Sequence, residues 1–365
     1  MSSSSEQHRF TDTAGLRGNR TSRSTLGLLI PLYNEEAVLS GLIGEIERFR
    51  SDRPFIDEVL LVDDGSTDRT ADLVRGLTAG LPGYTLIQFS RNFGKELAIT
   101  AGLNSCEADA IVILDADLQD PLDVVDTMVA RWREGYDVVY GIRRKRRGVS
   151  WMTRTFSATF YRLFQHMADT KAPADVGDFR LLSRPVIEAY REFEERQPYV
   201  RGLISWVGFR QTGVEFDRPA RAAGVSKYPY RKRFQLALNS ILAFSDRPLR
   251  YAAGVGFMVA LLSVAGLIWT VLARLYDPDV VSGWASLIFT AFFFGGLQLF
   301  FLGVVGAYLA RVYDEVKGRP RYIVSRRWTS DDAGAGDNRR HGLLFPQSDL
   351  EHLPNVNRDE PTEEK

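Results

Sequence analysis

Two stretches of the sequence, 251–273 and 280–310, contain no Asp, Glu, Lys or Arg in 23 and 31 consecutive positions. At about 1.5 Å of rise per helical residue, each is longer than the ~30 Å hydrocarbon core of a bilayer. A fully soluble chain is thereby excluded, although 45% hydrophobic and 25% charged residues, with 46 basic against 46 acidic, would suit one on average. Charge bias orients the runs. Arg247 and Arg250 precede the first, and Arg311, Lys317, Arg319 and Arg321 follow the second, while Asp277, Asp279 and a single Arg274 mark the connection. Basic flanks belong on the cytoplasmic side, so a transmembrane hairpin with both ends inside is expected. Trp269, Tyr276 and Trp284 fit an aromatic belt at its outer end, and Asp277-Pro278 fits the turn. The first 25 residues are Ser-rich, carry Arg9, Arg17, Arg20 and Arg23, and lack the apolar core of a secretory signal. Both termini are therefore expected in the cytoplasm of a multi-pass inner (plasma) membrane protein.

The remaining chain divides by pattern. Residues 1–25 read as a polar tail, 26–229 as a cytoplasmic domain, 230–250 as a juxtamembrane amphipathic helix, 251–276 and 280–310 as the spans, and 311–365 as a cytoplasmic segment, disordered after about 328. Short β-rich apolar runs at 26–32, 58–62, 85–89, 110–114 and 138–140 alternate with helical stretches. Such near-continuous apolar strands predict an α/β domain with a mostly parallel sheet covered on both faces, its chemistry at the carboxyl edge of the strands. Within 151–168, Met152, Phe156, Phe160, Leu163, Phe164 and Met167 recur at helical spacing. That amphipathic helix packs either on the soluble core or on the membrane face; the basic run 143–147 before it favours the second.

Cys106 is the sole cysteine, and His8, His166, His341 and His352 are scattered, so any metal must be held by carboxylates. No basic and aromatic pattern points to nucleic acid. The Gly-rich dinucleotide fingerprint and the phosphate-binding loop are both missing after the first strand. What the strand ends do carry is acidic: Asp63-Asp64-Gly65-Ser66, and Asp115-Ala116-Asp117-Leu118-Gln119. Two carboxylates two residues apart at a strand end, with the Gln119 amide oxygen, suit Mg²⁺ or Mn²⁺ bridging a diphosphate. The bland alternative is a pair of solvated loop acids, one capping the helix that starts near Pro121.

Together with these, Pro31-Leu32-Tyr33-Asn34-Glu35-Glu36, Ser90-Arg91-Asn92-Phe93-Gly94-Lys95-Glu96, Val176-Gly177-Asp178-Phe179-Arg180-Leu181, Arg201-Gly202-Leu203-Ile204-Ser205-Trp206, Gly224-Val225-Ser226-Lys227-Tyr228 and Gly318-Arg319-Pro320-Arg321-Tyr322-Ile323 follow in order. The series resembles the family 2 polyprenyl-phosphate glycosyltransferases, especially the bactoprenol (undecaprenyl-phosphate) glucosyltransferases and less closely the dolichol-phosphate mannose synthases. The resemblance spans roughly residues 26–325 and implies a GT-A, Rossmann-like nucleotide-diphospho-sugar transferase domain. It implies inverting transfer of one sugar, glucose from UDP-glucose, to undecaprenyl phosphate at the inner leaflet. A mannose synthase using GDP-mannose is the rival within the class, and a non-catalytic subunit for lipid-sugar translocation the rival outside it.

By the same resemblance, Pro31, Tyr33, Glu35 and Asp64 surround the nucleoside, with Ser226 and Lys227 on a loop closing over the donor. Asp115, Asp117 and Gln119 hold the metal and diphosphate. Arg143, Arg154 and Ser157 contact the acceptor phosphate, and Asp178 is a candidate general base, an orienting group, or a buried ion pair with Arg180. Asn34 also reads as a cap for the helix through Val38 and Leu42. The Gly295, Gly296, Gly303 and Gly306 series would permit close helix packing, so a homo-oligomer through the membrane and juxtamembrane helices is expected.

Overall fold

A computed structural model describes residues 24–144, 176–217, 247–276 and 283–332. Arg154, Ser157, Ser226, Lys227, the amphipathic stretch 151–168, residues 230–246 of the juxtamembrane stretch and the Asp277-Pro278 turn lie outside the described residues.

The first half alternates strand and helix: β1 (Leu26–Leu32), α1 (Leu39–Arg50), β2 (Ile56–Asp63), α2 (Thr70–Thr78), β3 (Tyr84–Phe89), α3 (Lys95–Ser105), β4 (Ala110–Ile113), α4 (Asp123–Arg133) and β5 (Val138–Arg143). Then come β6 (Val176–Ser183), α5 (Arg184–Arg191), α6 (Val200–Trp206) and β7 (Gln211–Phe216). The strands form one sheet in the order β7-β5-β6-β4-β1-β2-β3-β8, where β8 is Val324–Thr329. β1 to β4 are mutually parallel, as the apolar runs predict, but β6 runs antiparallel between β4 and β5, and β8 is antiparallel to β3, so the sheet is mixed.

Both faces are covered. Leu26, Leu28, Ile30 and Leu32 of β1 share a core with Leu42 and Ile46 of α1 and Met128 and Trp132 of α4. On the opposite face α3 lies so close to β1 that a Cβ on Gly102 would fall 2.1 Å from Leu29 Cδ1. Because β6 is antiparallel to β4 with Ile113 opposite Arg180, its amino end meets the carboxyl end of β4. The carboxyl end of β5 meets that same end of β6. The polar strand ends, Asp178 and Arg143 are therefore gathered along one edge of the sheet, and this register is what builds the site.

The chain divides into two compact units: 1–147 with 172–225 and 319–365, and 148–171 with 226–318. Within the second, α7 (Arg247–Tyr276) and α8 (Trp284–Val316) are continuous helices of 30 and 33 residues. Among the described residues one helical stretch, Thr290–Val316, is long and apolar enough to cross a membrane, and the apolar part of α7, Tyr251–Gly266, is shorter. Phe257, Leu262 and Trp269 of α7 and Phe292, Leu299 and Val316 of α8 are all exposed. The described order also continues past residue 328: Ser330 begins a short 3₁₀ turn and is buried, its hydroxyl accepting a hydrogen bond from Tyr84 N at 3.1 Å.

Candidate active site

The loops after β1 and β2 are tied to each other. Asn34, in the left-handed region at φ 54°, accepts a hydrogen bond from Thr67 N through Oδ1 at 2.8 Å and donates its own N–H to Ser66 Oγ at 2.9 Å. Asn34 is thus no helix cap: α1 begins at Leu39 and has no side-chain cap. Glu35 N donates to Thr70 Oγ1 at 2.9 Å. Burial, then the charges of Asp117, Asp68 and Asp115, push the Glu35 carboxyl above its ordinary value, so this edge carries an accumulated negative field.

Asp64 organises the next wall. Its Oδ1 accepts from Phe93 N at 2.7 Å, and its Oδ2 from Gly94 N at 2.9 Å and Asn92 Nδ2 at 3.0 Å. Burial raises the Asp64 carboxyl, and the Phe93 and Gly94 amides work against that. Gly65 allows the close approach: it sits at φ +67°, and a Cβ there would lie 2.3 Å from the carbonyl carbon of Arg91. Gly65→Ala is expected to cost about 1–3 kcal/mol from the backbone alone and to displace the 90–94 loop as well. Thermal unfolding together with nucleotide titration checks it. Between these loops lies an open cleft of about 520 Å³ lined by Tyr33, Ser66, Gln88, Arg91, Asn92 and Ser325. Tyr33 is 46% exposed on its rim.

The acidic loop after β4 turns at Leu118, whose φ is 55°, with Asp117 Oδ1 accepting from Gln119 N at 3.1 Å and Asp120 Oδ2 from Asp115 N at 3.2 Å. The helix cap that the bland alternative gives to one of these acids does not form, since α4 has no side-chain cap. Gln119 is buried and its Nε2 has no hydrogen-bond partner among the described residues.

Lys95, the first residue of α3, bridges two elements. Its Nζ donates to Asp115 Oδ1 at 2.5 Å and to Asp178 Oδ2 at 2.7 Å. Asp178 Oδ1 accepts from Arg201 Nε at 2.5 Å. The Asp178 side chain is 7% exposed, and burial alone would raise its carboxyl; the Arg201 hydrogen bond and the Lys95 charge outweigh that and hold it well below the usual carboxylate range. The pairing with Arg180 does not form. Arg180 donates to Gly177 O at 2.7 Å, and burial brings its guanidinium down to about 10. Lys95 and Arg201 are the site groups that residue type and spacing missed, although both lie in the motifs quoted above. Arg143, at the end of β5, packs its guanidinium over Gly177, and its buried Nε has no hydrogen-bond partner among the described residues.

A mixed α/β sheet that collects a ligand-sized cleft, an acidic loop and paired cations at one edge defines a GT-A-like enzyme of the glycosyltransferase class. Residues 28–191 match the pattern described as Glycosyl transferase family 2, and the chain belongs to that family. It is 40% identical to an uncharacterized glycosyltransferase, YkcC, of Bacillus subtilis, over 82% of this chain and 93% of that one. It is 36% identical to the bactoprenol glucosyl transferase of Shigella phage SfII, over 82% of this chain and 97% of that one. Among solved structures, glucosyl-3-phosphoglycerate synthase from Mycobacterium tuberculosis aligns with a TM-score of 0.42 at 20% identity, covering 65% of this chain and 85% of that one.

Proposed function

We propose that the chain transfers one hexosyl group, glucose from UDP-glucose, to undecaprenyl phosphate at the cytoplasmic leaflet, with inversion at the anomeric carbon. The observation that carries this reading is the single sheet edge on which the Tyr33–Arg91 cleft, the Asp115/Asp117 loop, the Lys95–Asp178–Arg201 network and Arg143 lie in sequence. The cleft takes the nucleoside, with Pro31, Tyr33 and Glu35 around it, and Asp64 holds the loop that forms its wall. Nothing in that arrangement suits a non-catalytic subunit.

Asp115, Asp117 and Gln119 are the residues to hold Mg²⁺ or Mn²⁺. Two carboxylates and the side-chain oxygen of buried Gln119, beside a Glu35 carboxyl raised by burial and then by the charges of Asp117, Asp68 and Asp115, fit a hard cation. When bound, the ion neutralises charge developing on the leaving diphosphate. The protein's own residues do the rest. An oxygen of the lipid phosphate forms the new bond to the anomeric carbon from the face opposite the donor diphosphate, whose bond to that carbon breaks with its electron pair leaving on UDP. With a second pKa of about 6, the acceptor phosphate is largely ionised at neutral pH and needs little proton removal. Asp178, with both oxygens accepting charged donors and its carboxyl held low, fits an orienting role better than that of a base. Arg143, with Arg154 and Ser157, is assigned to the acceptor phosphate, which guanidinium binds bidentately. Ser226 and Lys227 are assigned to the donor side.

The direct test is purified protein with undecaprenyl phosphate, Mg²⁺ and a panel of radiolabelled nucleotide sugars. Labelled lipid from UDP-glucose is expected; label from GDP-mannose instead would make the chain a mannose synthase, and none from any donor would reject the reading. Arg143→Ala is expected to raise the KM for lipid phosphate about tenfold or more, the equivalent of one charge-assisted contact, while UDP binding stays within about twofold. Steady-state kinetics in both substrates separates the two.

The long apolar helices serve this chemistry as a two-span hairpin, with 26–229 and both termini cytoplasmic. Support comes from the exposed apolar side chains of α7 and α8 and from the basic residues at the ends away from their connecting turn. In a Cys106→Ser background, a cysteine at Ser282 is expected to react with an impermeant thiol reagent in intact cells and one at Ser348 only after lysis. Labelling at Ser348 before lysis would overturn the hairpin. The glycines of α8 support a homo-oligomer through these helices.

A further inference from the structure

Residues 319–332 follow both apolar helices in the sequence, yet they belong to the compact unit that holds the cleft. The pairing of β8 with β3 is irregular at one point. Val324 lies opposite Phe89 and Arg326 opposite the adjacent Gln88, so Ser325 is the extra residue of a β-bulge. Bulges re-aim a side chain out of the regular pleat and recur beside active sites. Here Ser325 lines the cleft together with Tyr33, Ser66, Arg91 and Asn92, and its Oγ donates to Gln88 O at 3.0 Å.

The bulge is held in place from both sides. Tyr322 is buried and stacks on Phe89 at 5.0 Å between ring centroids, and its hydroxyl accepts a hydrogen bond from Asn104 Nδ2 at 3.2 Å. Ser90 N donates to Ile323 O at 3.0 Å, and Arg321 Nη1 to Phe193 O at 2.7 Å. Phe89 in turn meets Phe93 edge-on at 5.7 Å, and the Arg91 guanidinium sits 4.1 Å from the Phe93 ring. The Gly318–Ile323 motif thus leads into a strand locked to the loop that Asp64 organises.

We propose that Ser325 is a wall residue of the donor pocket that contacts the nucleoside, which makes the strand following the membrane segment a specificity element of the donor site. This rests on the reading that the cleft takes the nucleoside diphosphate. A consequence is that the donor pocket is completed only after the chain through 318 has been made and residues 319–329 have returned to β3. Donor binding then depends on the far end of the chain although the family pattern ends at residue 191.

The experiment uses the full chain in detergent with two single cysteines, Ser325→Cys and Arg327→Cys, each with Cys106 retained. Burial pushes the Cys106 thiol up to about 12, so it contributes little background. UDP binding is first measured by calorimetry, and thiol labelling is then timed with and without saturating UDP. Slowing of the Ser325→Cys reaction by tenfold or more, with Arg327→Cys changed less than twofold, is the expected result. Equal labelling of Ser325→Cys with and without UDP, while calorimetry shows UDP bound, overturns the proposal and leaves the donor reading standing. Absence of UDP binding in the unmodified protein overturns both. Should the cysteine variant unfold, Ser325→Phe read by UDP calorimetry replaces it: a tenfold weaker Kd is expected, and an unchanged Kd overturns the proposal.

Discussion

Asp117→Asn is expected to lower sugar transfer on the order of a hundredfold, corresponding to ~3 kcal/mol of transition-state stabilisation. The substitution is informative because it separates charge from shape. Asp117 Oδ1 closes the Leu118 turn by accepting from Gln119 N, and an Asn side-chain oxygen can accept that same bond. The loop and the protein's thermal stability should therefore be kept while one of two candidate metal carboxylates is lost. Loss of transfer should be accompanied by weaker Mn²⁺ binding in the presence of UDP, measured by electron paramagnetic resonance. Near-full activity of the variant, or of unmodified protein in excess chelator, would remove the metal from the reading and leave Lys95 as the cation nearest Asp115.

How far the sequence reaches into this structure depends on the kind of signal. The parallel core is legible because β1 to β4 are apolar on both faces, and β1 occupies the very span its apolar run marks, Leu26–Leu32. β8 is not legible: VSRRWT places two arginines side by side, and the bulge at Ser325 breaks what alternation an edge strand would show. The acidic loop can be found from spacing, since Asp115 and Asp117 are two residues apart. The Lys95–Asp178–Arg201 network cannot, because its members are separated by 83 and 23 residues and meet only through the antiparallel register of β6 on β4. Proximity along the chain misleads here: Arg180, two residues from Asp178, turns to a backbone carbonyl instead. The Asn34 cap fails for a related reason, since the tertiary bond to Thr67 competes with the local one and the helix starts five residues later.

That network makes Asp178→Asn the second substitution of large effect, acting on both stability and rate. An Asn amide can accept from one of the two cations, but its NH₂ then faces the N–H of the other, donor against donor. Breaking a fully buried ion pair by removing one partner costs about 3–5 kcal/mol; Lys95 and Arg201 retain 43% and 37% side-chain exposure, and the water they reach reduces this to roughly 1–3 kcal/mol. The pH dependence follows from the depressed carboxyl. A group whose folded pKa lies below its unfolded value of about 3.9 contributes stability that is present above that value and lost as pH falls towards the folded one. The stability gap between unmodified protein and variant should accordingly be flat from pH 8 down to about pH 5 and narrow only in stronger acid. Thermal melts across that range test it. Transfer should fall tenfold or more at every pH, because Lys95 loses one of the two carboxylates that fix it beside Asp115. The acid limb of kcat/KM for the acceptor should remain near pH 6 in both proteins, where the acceptor phosphate gains its proton. An acid limb present in the unmodified protein and abolished by Asp178→Asn would instead make this carboxylate the general base, and would require the Lys95 and Arg201 contacts to open when substrate binds.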